Sequence, residues 1–366
     1  MSNFRVLVIG GYGFFGTRLV TLLSRQPKLH ILVAGRSRVQ AEALVQALRA
    51  GAASLLEAQA IDIAAPSLAE ALAALKPDAV VHTAGPFQGQ DYHVAAACIA
   101  AKAHYIDLAD GRAFVAGITA LDETAAQAGV LVTSGASSVP ALSCAAADSL
   151  AAGLQQVTRI DIGISPGNRT DRGLSTVAAI LGYCGKPLPG GTIGWRGTRA
   201  HRYPAPVGRR LLSPCDVPDL VLLGPRFPGT PAVSFGAGLE LGLLHRGMNL
   251  MALLAQRGLV RNWAAYAPLL KRMADWFRHV GSDAGAMHVR VIGTSPDGAT
   301  QARNWSLVAT SGDGPFVPTL AAAALVRRLA AGEAIAVGAR PCLGLLSLDD
   351  FEREAAGLAI TMKVEA

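Results

Sequence analysis

The stretch Phe4–Gly16, FRVLVIGGYGFFG, joins an apolar strand to a tight turn. Phe4, Val6, Leu7, Val8 and Ile9 suit a strand covered on both faces, and the spacing of Leu19, Val20, Leu22 and Leu23 behind them is helical. Between strand and helix lies Gly11-Tyr12-Gly13-Phe14-Phe15-Gly16, the pattern Gly-x-Gly-x-x-Gly. The first glycine permits the turn, the second lets a pyrophosphate approach the backbone, and the third lets helix and strand pack closely. Glycine-rich turns also arise for purely structural reasons, but the strand before this one and the helix after it are the context a dinucleotide site requires. Residues Gly11 through Gly16, with Tyr12, Phe14 and Phe15 among them, are therefore the expected phosphate-binding segment, the anion resting on free N–H groups of the helix.

Strand and helix continue to alternate. A second strand, His30–Ala34, ends at Gly35-Arg36-Ser37-Arg38, the place that reads the adenosine ribose. An acidic residue there bonds a 2′-hydroxyl, whereas arginine accommodates a 2′-phosphate, so Arg36, with Ser37 and Arg38 beside it, favours NADP over NAD. The other reading of Arg36 is a solvated loop side chain. A helix over Val39–Ala50 leads to a strand over Leu55–Ile61 ending in Asp62-Ile63, where the adenine ring is expected; Asp62 either faces its amino group or faces solvent. A strand over Asp78–Thr83 runs into Ala84-Gly85-Pro86, which should meet the nicotinamide half. Helices over Gln90–Lys102 and Phe114–Ala128, and strands over Tyr105–Leu108 and Val130–Thr133, complete six repeats. This alternation predicts an α/β fold, a doubly wound parallel (Rossmann) sheet with ligands beyond the carboxyl ends of its strands.

Composition narrows the partners. The net charge is +7, but the arginines are dispersed, the densest groups being pairs such as Arg209-Arg210, so no nucleic-acid-binding arm is expected. No stretch is apolar enough over 18 residues to span a membrane, and the N-terminus does not read as a signal peptide. Cys98, Cys144, Cys184, Cys215 and Cys342 are scattered without metal-ligand spacing, which predicts no metal site and fits a reducing cytoplasm. With 366 residues, two domains are expected.

Four segments in this order, GGYGFFG, AGR, HTAGPF and ACIAAKAHYIDLAD, resemble the saccharopine dehydrogenase NADP-binding family. The resemblance covers residues 1 to about 150 and implies an NADP-dependent oxidoreductase. It does not extend to the substrate, because the family's reactions are diverse. Ser134–Pro140 stands where saccharopine-forming members carry an Asp-Pro-Gly turn, and Asp110-Gly111 where many relatives have Gly-Glu.

Beyond Val157 the pattern changes to strands with one wet face, as in Arg159–Ser165, followed by a helix over Gly173–Cys184. Lys186–Gly229, dense in Gly, Pro and Arg, reads as a loop-rich lid or oligomer arm. Gly238–Arg257 and Trp263–Val280 read as apolar helices suited to pairing two subunits, and Met287–Thr294 and Thr300–Ala309 as a hairpin around Ser295-Pro296-Asp297-Gly298. The expected organisation is 1–135 for the cofactor, 136–316 as an α+β substrate and dimerisation domain, and 317–366 as a helix and tail returning to the first.

No tyrosine is followed by lysine four residues later, which excludes the short-chain dehydrogenase acid. Asp107, near the carboxyl end of a central strand, is the first candidate for a functional carboxylate that orients a substrate amine. Its alternative is to bond backbone amides at the strand end. Tyr105, His82 and Ser138 are weaker candidate donors. Two functions remain: hydride transfer to or from a small, anionic metabolite of imine, ketone or enoyl type, or a noncatalytic NADP(H) sensor or partner-binding protein.

Overall fold

The chain starts its folded course with β1 (Phe4–Ile9), α1 (Phe14–Leu23), β2 (Leu29–Gly35), α2 (Arg38–Arg49), β3 (Leu55–Ala60), α3 (Leu68–Leu75), β4 (Ala79–His82), α4 (His93–Ala100), β5 (His104–Asp107), α5 (Arg112–Gly117), α6 (Asp122–Ala128) and β6 (Leu131–Ser134). The computed structural model describes residues 3–365. In β1, Leu7 and Ile9 pack into a core with Leu72 of α3, Cys98 of α4 and Ala125 of α6. Their neighbours Val6 and Val8 alternate to the other face and are equally buried. Both faces are thus covered, which is why Val6–Ile9 reads as an unbroken apolar run. Each such side chain contributes about 1.5–3 kcal/mol by leaving water.

The continuous helix expected over Phe114–Ala128 is instead α5, a 3-10 turn at Ile118–Leu121, and α6. The Tyr92 hydroxyl donates to the Phe114 carbonyl at 2.7 Å, capturing the acceptor that the Ile118 amide would need in a continuous helix. A Cβ on Gly117 would meet the same hydroxyl at 2.5 Å, so the ring holds the break in place.

Next come α7 (Ser143–Ala151), β7 (Gln156–Ser165), α8 (Leu174–Gly182), β8 (Arg199–Arg202), β9 (Arg209–Pro214), α9 (Asp219–Leu222), β10 (Ala232–Ala237), α10 (Gly242–Gln256), α11 (Ala267–Asp275), β11 (Gly285–Thr294) and β12 (Thr300–Ala309). The hairpin pairs Gly285 with Ala309 through Thr294 with Thr300. Its turn is closed by Ser295 N–H donating to the Ala299 carbonyl at 3.0 Å, with Gly298 at φ +85°. Lys186–Gly229 is not merely a loop. It contributes β8 and β9, and β8 lies at the sheet edge, where alternating exposure permits Arg199, His201 and Arg202 in a strand.

The chain ends with α12 (Val317–Ala330), β13 (Gly338–Pro341), α13 (Leu348–Glu354) and β14 (Ile360–Glu365). One compact unit runs to Leu142 and takes in Phe316–Glu354; the other comprises Ser143–Pro315 and the residues from Ala355 onward. The first holds a seven-stranded sheet in the order β13-β6-β5-β4-β1-β2-β3, every pairing parallel. The second holds a mixed sheet in the order β14-β12-β11-β7-β10-β9-β8. The first is the expected Rossmann sheet, with β13 added at its edge. Strand order reverses between β1 and β4, the switch point beyond which such sheets bind ligands.

Candidate dinucleotide site

The turn after β1 is built from backbone alone. Gly11 N–H donates to the Ala34 carbonyl at 2.9 Å and Gly13 N–H to the Gly10 carbonyl at 2.8 Å. Gly10 adopts φ +76°, and a Cβ there would stand 2.8 Å from Thr83 Oγ1. A Cβ on Gly16 would come within 2.0 Å of the Gly10 carbonyl oxygen, so the third glycine is a strict packing requirement. Gly13 differs: its Cβ would meet only the Gly10 carbonyl, at 2.9 Å, and otherwise point into open space. That is the cradle a pyrophosphate needs.

Gly13 is also the N-cap of α1, and no side chain caps that helix. Its first turn carries no acidic residue, so first-turn amides and the positive end of the helix dipole are left for an anion. Phe14 and Phe15 stand edge to face across this turn, and the Arg18 guanidinium lies 4.1 Å from the Phe14 ring centroid. Tyr12 lies over Gly35, where a Cβ would meet its ring at 2.5 Å, and its hydroxyl accepts the Ser37 N–H at 2.8 Å. Tyr12 thereby ties the phosphate turn to the ribose loop.

Within that loop Ser37 caps α2 by accepting from Gln40 N–H. Arg38 is exposed, with Nε 2.9 Å from Glu42. Arg36 is exposed and makes no hydrogen bond or ion pair among the described residues. Asp62 is exposed and accepts the Ala64 N–H at 3.0 Å, so its carboxylate closes its own turn. Beside it, Ile63, Ala64, Pro66, His93 and Ala97 line an open apolar hollow of about 410 Å3. His93 Nε2 bonds the Ile63 carbonyl at 2.9 Å; the Asp91 carboxylate, accepting from its other nitrogen, holds its pKa above the usual value.

Across the switch point, Thr83 Oγ1 donates to the carbonyls of Ile9 at 2.9 Å and Gly10 at 3.1 Å, fastening β4 to the phosphate turn. Ala84, Gly85 and Pro86 follow with exposed or half-exposed backbone. Gln90 Nε2 braces them, donating to the carbonyls of Ala84 and Pro86.

His82, Tyr105 and Asp107 are brought together, but in the interior. Their exposures are 1 %, 1 % and 0 %. Asp107 Oδ1 accepts from Ala109 N, Ser134 Oγ and Gly135 N, each at 2.9 Å, which pins β5 to the turn after β6. Oδ2 has no partner. Burial pushes the carboxyl up to about 6 against the pull of those donors. The Tyr105 hydroxyl bonds His82 Nδ1 at 3.1 Å and lies close enough to Asp107 to help hold its pKa down. Burial also pushes His82 down to about 4, so it is neutral, and its Nε2 is unpartnered. Ser138 is buried as well. None of these groups offers a surface for substrate in this conformation. Asp107 does what its alternative reading anticipated: it bonds backbone amides at the strand end.

Gly10, Thr83, Gln90 and His93 were not singled out from sequence. The extra glycine ahead of the motif and the hydroxyl at the end of β4 were the available signals for the first two. The brackets made by Gln90 and His93 depend on contacts that no local pattern encodes. Among the described residues no three His, Cys, Asp or Glu side chains gather as a metal-holding group. Nor is any described helix long and apolar enough to cross a membrane.

The open glycine turn at the switch point of a parallel sheet defines a dinucleotide-binding α/β domain. More particularly, residues 6–133 match the family model of the saccharopine dehydrogenase NADP binding domain, and the first unit carries that domain. No curated protein matches the sequence. Among solved structures, saccharopine dehydrogenase (L-Glu forming) from Saccharomyces cerevisiae matches at 15% identity over 99% of this chain and 100% of its own, with a TM-score of 0.65. Homospermidine synthase from Legionella pneumophila matches at 9% identity over 100% of this chain and 92% of its own, with a TM-score of 0.59. An amine dehydrogenase from Mycobacterium smegmatis matches at 11% identity over 93% of this chain and 95% of its own, with a TM-score of 0.52. At these identities the likeness is one of fold.

Proposed function

We propose that the protein is an NADP(H)-dependent oxidoreductase that passes hydride to or from a small, anionic metabolite of imine, ketone or enoyl type. The observation that carries this reading is the uncapped N-terminus of α1 at the switch point, with the unpaired Arg36 guanidinium at the end of β2 where a 2′-phosphate would lie. Gly11, Gly13 and Gly16 would admit the pyrophosphate, Arg36 and Arg38 the 2′-phosphate, and the hollow beside Ile63 the adenine. Ala84, Gly85 and Pro86 would border the nicotinamide, which when bound supplies the hydride. Asp107, Tyr105 and His82 act as positioning residues: the carboxylate fixes the turn after β6, and the His82–Tyr105 pair stiffens the floor beneath the Ala84–Pro86 turn.

Dehydrogenases among the fold neighbours support the reaction class. The test is a screen of oxo acids, imines and enoyl compounds for loss of NADPH absorbance, with titration calorimetry against NADPH and NADH. NADPH binding without hydride exchange across the screen would favour the second reading, a noncatalytic sensor. The burial of all three candidate catalytic groups is what keeps that reading in view. We further propose a cytoplasmic homodimer covering the outer face of α10 and α11. Large apolar side chains stand unusually exposed there, Leu269 at 57% and Trp276 at 72% among them.

A further inference from the structure

Wholly within the second unit, α8, α10 and α11 enclose a cavity of about 360 Å3. Its walls are mainly apolar, with Ile180, Leu244, Met248, Met251 and Phe277 among them, and Asn168, Thr170, Lys271, Asp275 and Arg278 supply polar groups. Two further lining groups hold buried donors without partners. Trp195 is only 1% exposed, and its indole N–H has no acceptor among the described residues. The backbone at Trp195 is held at φ +62°, a conformation a bulky side chain rarely takes, by Pro214 accepting its N–H and Asn249 donating to its carbonyl. Arg172 is half-buried and its Nε is likewise buried without a partner; its one hydrogen bond is a long contact of 3.5 Å to Asn168 Oδ1.

Asp275 and Glu240 both act on the Arg172 charge, but each is ion-paired with another cation, Asp275 with Lys271 at 2.8 Å and Glu240 with Arg210 at 3.1 Å. Arg278 is paired with Asp171, and Arg172 has no ion pair among the described residues. Both orphaned groups are donors only, so the cavity asks for an acceptor, and the unpaired guanidinium asks for that acceptor to be anionic. An unsatisfied buried donor is costly, on the order of 1–3 kcal/mol, which a ligand carboxylate would relieve.

We infer that this cavity is a second ligand site for a small amphipathic carboxylate, its carboxyl group meeting Arg172 and Trp195 and its aliphatic chain filling the space between α8, α10 and α11. A chain of roughly eight to twelve carbons suits a cavity at the low end of the small-molecule range. The inference rests on the second unit alone and is independent of the dinucleotide reading.

Titration calorimetry of the full chain with decanoate, decan-1-ol and decyltrimethylammonium tests it. Decanoate is expected to bind at one site per chain, at least tenfold more tightly than either of the others. Two variants locate the site. Arg172→Met keeps much of the side chain's length without its charge, and should cost decanoate about tenfold or more while leaving decan-1-ol within about twofold. Gly247 lines the cavity, and a Cβ there would meet nothing within 4 Å, so Gly247→Phe is the variant chosen to occlude the space. It should abolish binding of both ligands.

NADPH affinity, read in parallel, should be unchanged in both variants, and circular dichroism with thermal melts certifies that the chain is folded. The NADPH reading also keeps this result separate from any failure of the dinucleotide site. Absence of decanoate binding to the wild type, equal affinity for the three ligands, or undiminished binding to Gly247→Phe would each overturn the assignment. The last outcome would place the ligand on the exposed apolar face of α10 and α11 instead. Should one variant not fold, the wild-type ligand series and the other variant still decide the question.

Discussion

Arg36→Asp probes cofactor choice at a position where the fold should not respond. Arg36 is exposed and unpaired, so its replacement should change stability by no more than about 0.5 kcal/mol. Its effect on binding should be much larger. A charge-assisted bond to a 2′-phosphate contributes about 1.5–3 kcal/mol, roughly ten- to 150-fold in affinity. An aspartate in its place adds repulsion of about 1 kcal/mol against a doubly charged phosphate in water-like dielectric. NADH, which lacks the phosphate, should bind within about twofold of its wild-type affinity, because nothing in its ribose hydroxyls requires the guanidinium.

Arg38 is the one nearby side chain that could compensate, but it is engaged with Glu42 at 2.9 Å. An exposed pair of that kind is worth only about 0.3–0.5 kcal/mol, so Arg38 can swing over and recover part of the loss. The expected fall in the NADPH-to-NADH affinity ratio is therefore at least tenfold for Arg36→Asp, and larger for Arg36→Asp with Arg38→Ala. Calorimetric titration of both cofactors at one ionic strength measures it. A ratio within twofold of wild type in the double variant would refute the assignment of this loop to the 2′-phosphate.

Gly16→Ala should unfold the phosphate turn and lower the melting temperature, since its Cβ would lie 2.0 Å from the Gly10 carbonyl. Gly13→Ala, with a single 2.9 Å approach, should remain folded and lose NADPH affinity, and calorimetry with thermal melts separates the two. Asp107→Asn should gain on the wild type as pH rises. The native carboxyl sits at about 6, against an unperturbed value near 4, so its neutral form stabilises the fold below the lower value and that stability is lost as pH rises through 6. The difference in unfolding free energy between variant and wild type should shift by up to about 3 kcal/mol between pH 4 and pH 8; a pH-independent difference would contradict the burial argument. Leu269→Arg with Trp276→Arg should turn a dimer into a monomer by light scattering, and a wild type that is already monomeric at micromolar concentration rejects the pairing.

How far the sequence was legible depended on where each segment's partners lie. β1, β2 and β4 announce themselves because burial on both faces leaves them mostly apolar, and the hairpin of β11 and β12 because its turn residues are local. β13 was missed: Gly338–Pro341 has no pattern of its own, and its strand form depends on pairing with β6 and on Asp122 accepting the Ala339 N–H at 2.8 Å. β14 likewise forms only against β12, and its exposed alternation looks like any polar tail. At the candidate site, the glycine turn could be read directly because backbone chemistry acts locally. The depth of Asp107 could not, since a strand-end carboxylate looks the same in sequence whether it meets substrate or three backbone and side-chain donors.

The polar groups around the switch point show why burying them can still serve function. Thr83 ties β4 to the phosphate turn, Tyr12 ties that turn to the ribose loop, Gln90 braces the turn after β4, and Asp107 fixes the turn after β6. Three of these bonds join two strand ends and the Gln90 bonds stiffen one segment, all on the side of the sheet where a dinucleotide would lie, so the receptor surface is organised before any ligand arrives and loses little conformational freedom on binding. Asp107 carries the largest cost, because one oxygen satisfies three donors while the other has none. An apolar residue would relieve that carboxylate but orphan Ser134, Gly135 and Ala109 together, and an asparagine would keep the three acceptor contacts without the charge. A large loss of NADPH affinity in Asp107→Leu, alongside near-wild-type affinity in Asp107→Asn, would therefore mark the residue as one that shapes the site through its neighbours, whereas equal losses in both would require the negative charge itself.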